Sequence, residues 1–135
     1  DKKFVINLDQ DQNSLKSYRS PEIVYGLRNF IGNANKFSSR KVEIFISSND
    51  NHSEVVIRDD GPGFPKDLID KHKLGEPYIR TRDNKNTSKY GLGLGTFIGK
   101  TLLEKNFAEI HFKNLEKNKG AEVSIKWINK NFIKI

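Results

Sequence analysis

The chain has 135 residues, 35% of them hydrophobic, and a net charge of +7, which fits one globular domain large enough for a buried core. No apolar run approaches the ~18 residues of a membrane span, and the opening DKKFVINLD is too short and too charged in its apolar part for a signal peptide. The absence of cysteine excludes a disulfide framework and thiolate catalysis and fits a reducing, cytoplasmic setting. The basic excess gathers in RTRDNKNTSK, residues 80–89, and in Lys113, Lys117, Lys119, Lys126, Lys130 and Lys134. No aromatic residues interleave with the first cluster as a base-stacking platform requires, so a solvated face is expected and a nucleic-acid partner is not.

Phe4 to Leu8 alternates as a strand does, and residues 9–19 read as a polar connection. A helix is predicted from Pro21 to Phe37. Ser20 suits its N-cap, Pro21 its first position and Glu22 the positive end of its dipole. Ile23, Val24, Leu27, Phe30, Ile31, Ala34 and Phe37 recur at helical spacing as one buried stripe. Asn29 and Asn33 stack one turn apart beside that stripe, and Lys36 continues the row. Asparagine is a weak helix former, so the pair is not there for helix stability. Two readings stand: asparagines facing solvent, or amide oxygens for a hydrated metal ion with an ammonium for a phosphate.

Residues 38–40 form a turn, Val42, Ile44 and Ile46 alternate as a strand, and Glu54 to Arg58 follows as its antiparallel partner across Asn49-Asp50-Asn51. This hairpin runs into Asp59-Asp60-Gly61-Pro62-Gly63-Phe64. Two glycines and a proline at a strand end mark a tight loop where backbone can approach a ligand. A carboxylate held there can accept from an exocyclic amine; the alternative is a turn with a helix-capping Asp.

Pro65 to Lys73 is a short helix candidate, and LGEPYIRTRDNKNTSKY after it has the composition of a long loop or active-site lid, whose positive charge suits an anionic ligand. It ends in Gly91-Leu92-Gly93-Leu94-Gly95, followed by a helix from Thr96 to Lys105. A glycine-rich turn opening a helix brings free N–H groups and the positive dipole end to a phosphate; the alternative is a flexible hinge. Gly99-Lys100-Thr101 imitates the end of a P-loop, but position 94 is leucine where that motif needs glycine. The third position of a G-x-G-x-x-G pattern falls on Thr96 or Ile98, so a dinucleotide or protein-kinase glycine loop is not indicated either. Ala108 to Phe112 and Ala121 to Ile128 close the chain as strands. The order predicts a single domain over residues 1–135, a layered α/β sandwich with a mixed, largely antiparallel sheet.

The N-x-x-x-N-A-x-K-F helix, the D-x-G-x-G loop and the G-x-G-x-G loop, in this order with a basic lid before the last, resemble the ATP-binding domain of sensor histidine kinases. These belong to the superfamily that also holds the gyrase, Hsp90 and MutL ATPases. GEPYIRTR and GLGLGTFIGKTLLEK look most like the redox-responsive RegB/PrrB group. The resemblance implies a two-layer α/β sandwich with three helices, and ATP and Mg²⁺ as ligands. It puts Mg²⁺ on the oxygen of Asn33 with Asn29 in support, the phosphates on Lys36, and the adenine beside Phe37. Asp59 would accept from the adenine amine, with Gly61 and Gly63 allowing close approach. Tyr78 and Arg80 match the aromatic-plus-arginine box ahead of the lid, and Arg80 with Arg82 would stabilise charge on the moving phosphoryl group. Gly91, Leu92, Gly93, Leu94 and Gly95 would wrap the triphosphate.

The chain departs from the pattern at Gly120-Ala121, where the family often has Gly-Thr, and a hydroxyl near the adenine is lost. None of the three histidines suits a phosphoacceptor. His52 lies in a hairpin turn and His111 in a strand, and His72 matches an acceptor box only in its spacing to Pro77. The resemblance therefore implies an excised catalytic domain, expected to be monomeric, that binds ATP but carries nothing to phosphorylate. Its partners would be a histidine on the dimerisation domain of a homodimeric parent, anchored in a bacterial inner membrane, and then a response regulator. An ATP hydrolase needs a base one turn before the metal residue, and Asn29 cannot take a proton there. A nucleotide-binding module without turnover is the remaining alternative.

Overall fold

The computed structural model describes residues 2–8, 20–66, 69, 94–116 and 119–132. Helix α1 spans Pro21–Phe37, as its end signals predict, and the Ser20 Oγ accepts from the Ile23 N–H at 3.3 Å. That satisfies one of the amides a first turn leaves open. At the other end the Ser38 N–H donates to the Ala34 carbonyl at 2.9 Å. Lys2 Nζ donates to the carbonyl of Asn35 and, at 3.4 Å, to that of Lys36, a cation at the negative end of the helix dipole.

Five strands, β1 (Lys3–Leu8), β2 (Lys41–Ser48), β3 (His52–Asp59), β4 (Glu109–Asn114) and β5 (Ala121–Ile128), form one sheet in the order β1-β2-β3-β5-β4. β1 pairs parallel with β2 because α1 intervenes, and the other pairings are antiparallel. The register lines Ile6, Ile44, Ile57, Val123 and Phe112 across all five strands. α1 and a second long helix, α2 (Leu94–Lys105), cover that face except at β1, where Phe4, Ile6 and Leu8 stay exposed. Phe30, Ala34 and Leu103 from the helices meet Val42, Ile44, Ile57, Val123, Ile125 and Trp127 from the sheet as the core. Alternation sends polar side chains to the other face, where Arg58 Nε lies 2.6 Å from Glu122 Oε1 and the guanidinium stacks 5.0 Å from the Phe45 ring centre.

This is the mixed, largely antiparallel α/β sandwich expected. Of the three predicted helices, α1 and α2 are described. The candidate over residues 65–73 lies mostly outside the described residues. A one-turn α3 (Asn129–Phe132) was not expected; its buried Asn129 takes the Ser53 hydroxyl at 2.7 Å and gives its amide to the Asn49 carbonyl at 2.6 Å. α2 starts two residues early, so Leu94 and Gly95 belong to its first turn.

The buried stripe of α1 follows the predicted one at Ile23, Leu27, Phe30, Ile31 and Ala34 and departs from it at one edge. Val24 is 49% exposed, while Gly26 is buried. The cause is the crossing with α2. A Cβ at Gly26 would stand 2.7 Å from Leu103 Cγ and 3.2 Å from the Gly99 carbonyl, and one at Gly99 3.2 Å from Asn29 Cβ. Two glycines let the helices approach at a place where periodicity alone sees no apolar side chain.

β4 starts one residue later than expected because α2 ends in a full C-terminal cap. The Ala108 N–H donates to the Leu103 carbonyl at 2.9 Å and the Phe107 N–H to the Glu104 carbonyl at 3.0 Å. This is a Schellman motif, with Phe107 at φ 72° in the position that favours glycine.

Gly26→Ala should lower stability in a denaturant titration, because overpacking a core costs about 1–3 kcal/mol against the roughly 1 kcal/mol that alanine gains in a helix. Gly32→Ala, on the same helix but with nothing within 4 Å of the added Cβ, should instead raise it. Phe107→Gly should also raise it, by about 1 kcal/mol, since it removes a left-handed Cβ from a side chain that is 64% exposed. Phe107→Ala, which keeps the Cβ, should not share the gain.

Candidate functional site

Between α1 and the sheet lies a cleft of about 380 Å³. Phe30, Asn33, Ala34 and Phe37 face it from α1, Ile57, Asp59 and Val123 from the sheet. Its far wall is aromatic. Phe112 stands 5.8 Å from Phe30 and meets Phe64 edge to face, with ring centres 5.6 Å apart. Pro62, Gly63 and Phe64 of the loop after β3 close one end.

Asp59 is the last residue of β3 and is only 9% exposed. It is the only acidic residue among the described residues lining the cleft. Burial pushes its carboxyl above the ordinary aspartate value, against the pull of the Gly61 and Ala121 amides. Oδ1 accepts from the Gly61 N–H at 2.9 Å. Such a buried acceptor in apolar surroundings is suited to a ligand donor.

Asp60, next in the chain, does something else. Its Oδ1 accepts from the amides of Ser39 at 2.8 Å, Arg40 at 3.0 Å and Lys41 at 3.1 Å. Desolvation pushes its pKa up, but the Arg40, Lys41 and Ser39 amides together hold it below the ordinary value. Asp60 therefore anchors the loop to the turn between α1 and β2. The glycines complete the fit: a Cβ at Gly61 would fall 2.1 Å from the Phe37 carbonyl, and Gly63 sits at φ 86°. Asn114, at the end of β4, clamps Phe64 from the far side. Its Oδ1 accepts from the Phe64 N–H at 2.6 Å and its Nδ2 donates to the Phe64 carbonyl at 3.0 Å.

The asparagine row lies along the α2 side. Asn33 Nδ2 donates to Thr96 Oγ1 at 3.0 Å. Asn29 Nδ2 donates to the Tyr25 carbonyl at 3.0 Å, and a Cβ at Gly95 would stand 3.6 Å from Asn29 Oδ1. The end of the glycine segment thus meets the row directly. Lys36 is exposed, its ammonium 5.6 Å from the Phe37 ring centre.

The tertiary structure therefore brings Asn33, Phe37, Asp59 and Gly63 into one cleft, with Asn29, Lys36, Gly61 and Gly95 close by on the same elements. Leu94 opens α2. Tyr78, Arg80, Arg82, Gly91, Leu92 and Gly93 lie outside the described residues, as does His72. Sequence reasoning passed over Thr96, Asp60, Asn114, Phe64 and Phe112. Phe64 had a signal, as the aromatic directly after the glycine loop. Asn114 and Phe112 had none, since only the sheet register places β4 there. Among the described residues no cluster of three or more His, Cys, Asp or Glu could hold a metal. Asn33 brings an amide oxygen to the cleft lining beside the Asp59 carboxylate, and an amide oxygen is a ligand type that suits a hard ion keeping most of its own water.

Residues 19–131 match the family model described as histidine kinase-, DNA gyrase B- and HSP90-like ATPase. The chain is 39% identical over 101 residues to the sensor histidine kinase RegB of Cereibacter sphaeroides, covering 71% of this chain and 21% of that protein. It is 29% identical over 126 residues to a sensor histidine kinase of the NtrY-like type from Rickettsia felis, covering 93% of this chain and 20% of the other. It thus spans about a fifth of the length of these relatives. Its fold matches the catalytic domain of histidine kinase ThkA with a TM-score of 0.71 at 22% identity, over 93% of this chain and 78% of that one. With the family model matched over residues 19–131, the chain belongs to the histidine kinase-, DNA gyrase B- and HSP90-like ATPase family.

Proposed function

We propose that this chain is the ATP-binding catalytic domain of a sensor histidine kinase, one folded unit over residues 1–135. It would pass the γ-phosphoryl group of ATP to a histidine on a separate dimerisation domain, from which a response regulator receives it. The observation that carries the reading is Asp59, a buried carboxylate in a largely apolar and aromatic cleft. An adenine ring is flat and apolar on its faces and carries an amine on its edge. It needs such a cleft and one such acceptor. A full-length histidine kinase of the same fold, ShkA, was solved in complex with AMPPNP, with a TM-score of 0.71 at 21% identity over 98% of this chain and 26% of that one.

The residues have distinct parts in this reading. Asp59 accepts from the adenine amine, and Phe37 gives a face of the ring its contact. Ala121 lines the cleft with a methyl group where the family often has a hydroxyl, so recognition leans further on Asp59. Asn33 holds Mg²⁺ through Oδ1, supported by Asn29, and Lys36 meets phosphate oxygens. Bound there, Mg²⁺ would neutralise charge on the phosphates. Gly91 to Gly95 wrap the triphosphate, Tyr78 belongs to the box before the lid, and Arg80 and Arg82 steady the transferring group. These roles of residues 78–93 rest on the sequence motifs. Catalysis is then positioning and electrostatics, with the acceptor imidazole as nucleophile.

A hydrolase of the same family is the second reading. Asp59 is occupied with the base, and the residue one turn before Asn33 is the amide Asn29, which cannot act as a base. No described helix is long and apolar enough to cross a membrane. A cytoplasmic domain of a membrane-anchored, homodimeric parent is consistent with this.

Asp59→Asn should weaken ATP binding by roughly 1.5–3 kcal/mol, the worth of a hydrogen bond to a charged acceptor, measured by calorimetric titration. The same change should leave thermal stability equal or higher. A carboxylate whose folded pKa is raised keeps its proton longer in the native state than in the unfolded one. Stability therefore falls as pH rises through that interval, and the ionised group burdens the fold at neutral pH. Equal ATP affinity in the two proteins would defeat the adenine assignment. With γ-labelled ATP and the phosphoacceptor segment of the parent kinase, label should appear on histidine. Release of free phosphate alone would decide for the hydrolase, and bound nucleotide with neither product for a module without turnover.

A further inference from the structure

An asparagine amide has two ends, and only the oxygen can serve a cation. An Asn33 side chain turned end for end would present two N–H donors to the metal instead. In this structure Asn33 Nδ2 donates to Thr96 Oγ1 at 3.0 Å, and among the described residues nothing donates to Oδ1. Thr96 is 1% exposed and Asn33 is half-buried, so the hydroxyl is held in place and an amide nitrogen left without this acceptor would lose a hydrogen bond. Both side chains line the cleft. Thr96 also follows Gly95 directly in the first turn of α2. The bond therefore joins the helix that carries the asparagine row to the helix that the glycine segment opens.

We propose that Thr96 is a positioning residue: by holding Asn33 Nδ2 it presents Oδ1 to the metal of a bound metal–nucleotide pair and seats the end of the glycine segment beside it. This rests on the reading of Asn33 as a metal residue and adds a residue that acts on the metal through Asn33. Sequence inspection meets Thr96 only as a missing glycine. Its value is tertiary, because the two residues lie 63 positions apart.

The test compares the dissociation constant of ATP with Mg²⁺ present and with Mg²⁺ chelated, for the parent chain, Thr96→Val, Thr96→Ser and Asn33→Ala. Valine keeps the buried shape and removes the hydroxyl; serine keeps the hydroxyl. Thr96→Val should lose about tenfold of the Mg²⁺-dependent gain in affinity, the scale on which partners of metal-holding side chains act, and leave binding of chelated ATP unchanged. Thr96→Ser should retain the parent's gain. In the nucleotide-free protein, the side-chain amide protons of Asn33 should exchange with water faster in Thr96→Val than in the parent or Thr96→Ser. An undiminished gain in Thr96→Val overturns the proposal, and so does tighter Mg²⁺–ATP binding by that variant, which would make Thr96 a competitor for the amide. A loss shared equally by Thr96→Ser would assign the effect to packing and also overturn it. If Asn33→Ala keeps the parent's full Mg²⁺ dependence, the metal role of Asn33 itself falls.

Discussion

The cleft depends on how the carboxylate of Asp60 is held. Three consecutive amides, of Ser39, Arg40 and Lys41, converge on its Oδ1 at 2.8 to 3.1 Å, and this pins the end of β3 to the exit of α1. A turn that leaves a helix has free N–H groups, and a carboxylate satisfies several of them at once. With that joint made, the loop must run across the last turn of α1. Gly61 is required there because the Phe37 carbonyl occupies the space a side chain would need. Asn114 grips the same loop at Phe64 from the other side. Asp59 is thus aimed by its neighbours together with its own hydrogen bond from the Gly61 N–H.

Two adjacent aspartates in this way have opposite electrostatic fates. Burial raises the pKa of Asp59, and backbone amides lower that of Asp60. Asp59 is the last residue of β3 and its carboxylate enters the cleft, whereas Asp60 lies just beyond the strand and its carboxylate meets the turn after α1. Burying an acid in apolar surroundings works against folding unless a partner arrives. A fold that keeps one there while spending a structural acid next door is arranged for a ligand that brings a donor.

The helix layer follows a related logic. Gly26 and Gly99 leave little room for a Cβ between α1 and α2, because Leu103 packs against Gly26, and Asn29 and Phe30 against Gly99. That proximity lets Thr96 reach Asn33 and Gly95 approach Asn29. A wider crossing, built on larger residues, would separate the glycine segment from the asparagine row. Close packing therefore serves geometry at the rim as well as the core.

The sequence by itself determined most of the elements and, in the cleft, Asn33, Phe37, Asp59 and Gly63. α1 was legible from Ser20 to Phe37 because its cap, proline and apolar period are local signals. The hairpin strands were legible from their alternation, and Asp59, Gly61 and Gly63 from turn chemistry. The residues of the lid and of the first part of the glycine segment remain sequence inferences, since they lie outside the described residues. What only the tertiary structure decided is that Asp60 holds the turn after α1, that Gly26 and Gly99 set the crossing of α1 with α2, and which distant side chains hold the site in place. Asp60, Thr96, Asn114 and Phe112 carry no local signal because their partners lie on other elements, 19 to 63 residues away for the hydrogen bonds of the first three. Hydrogen-bond capacity is written in a residue's type, but the partner that meets it is set by strand register and helix crossing, and these arise only when the layers pack.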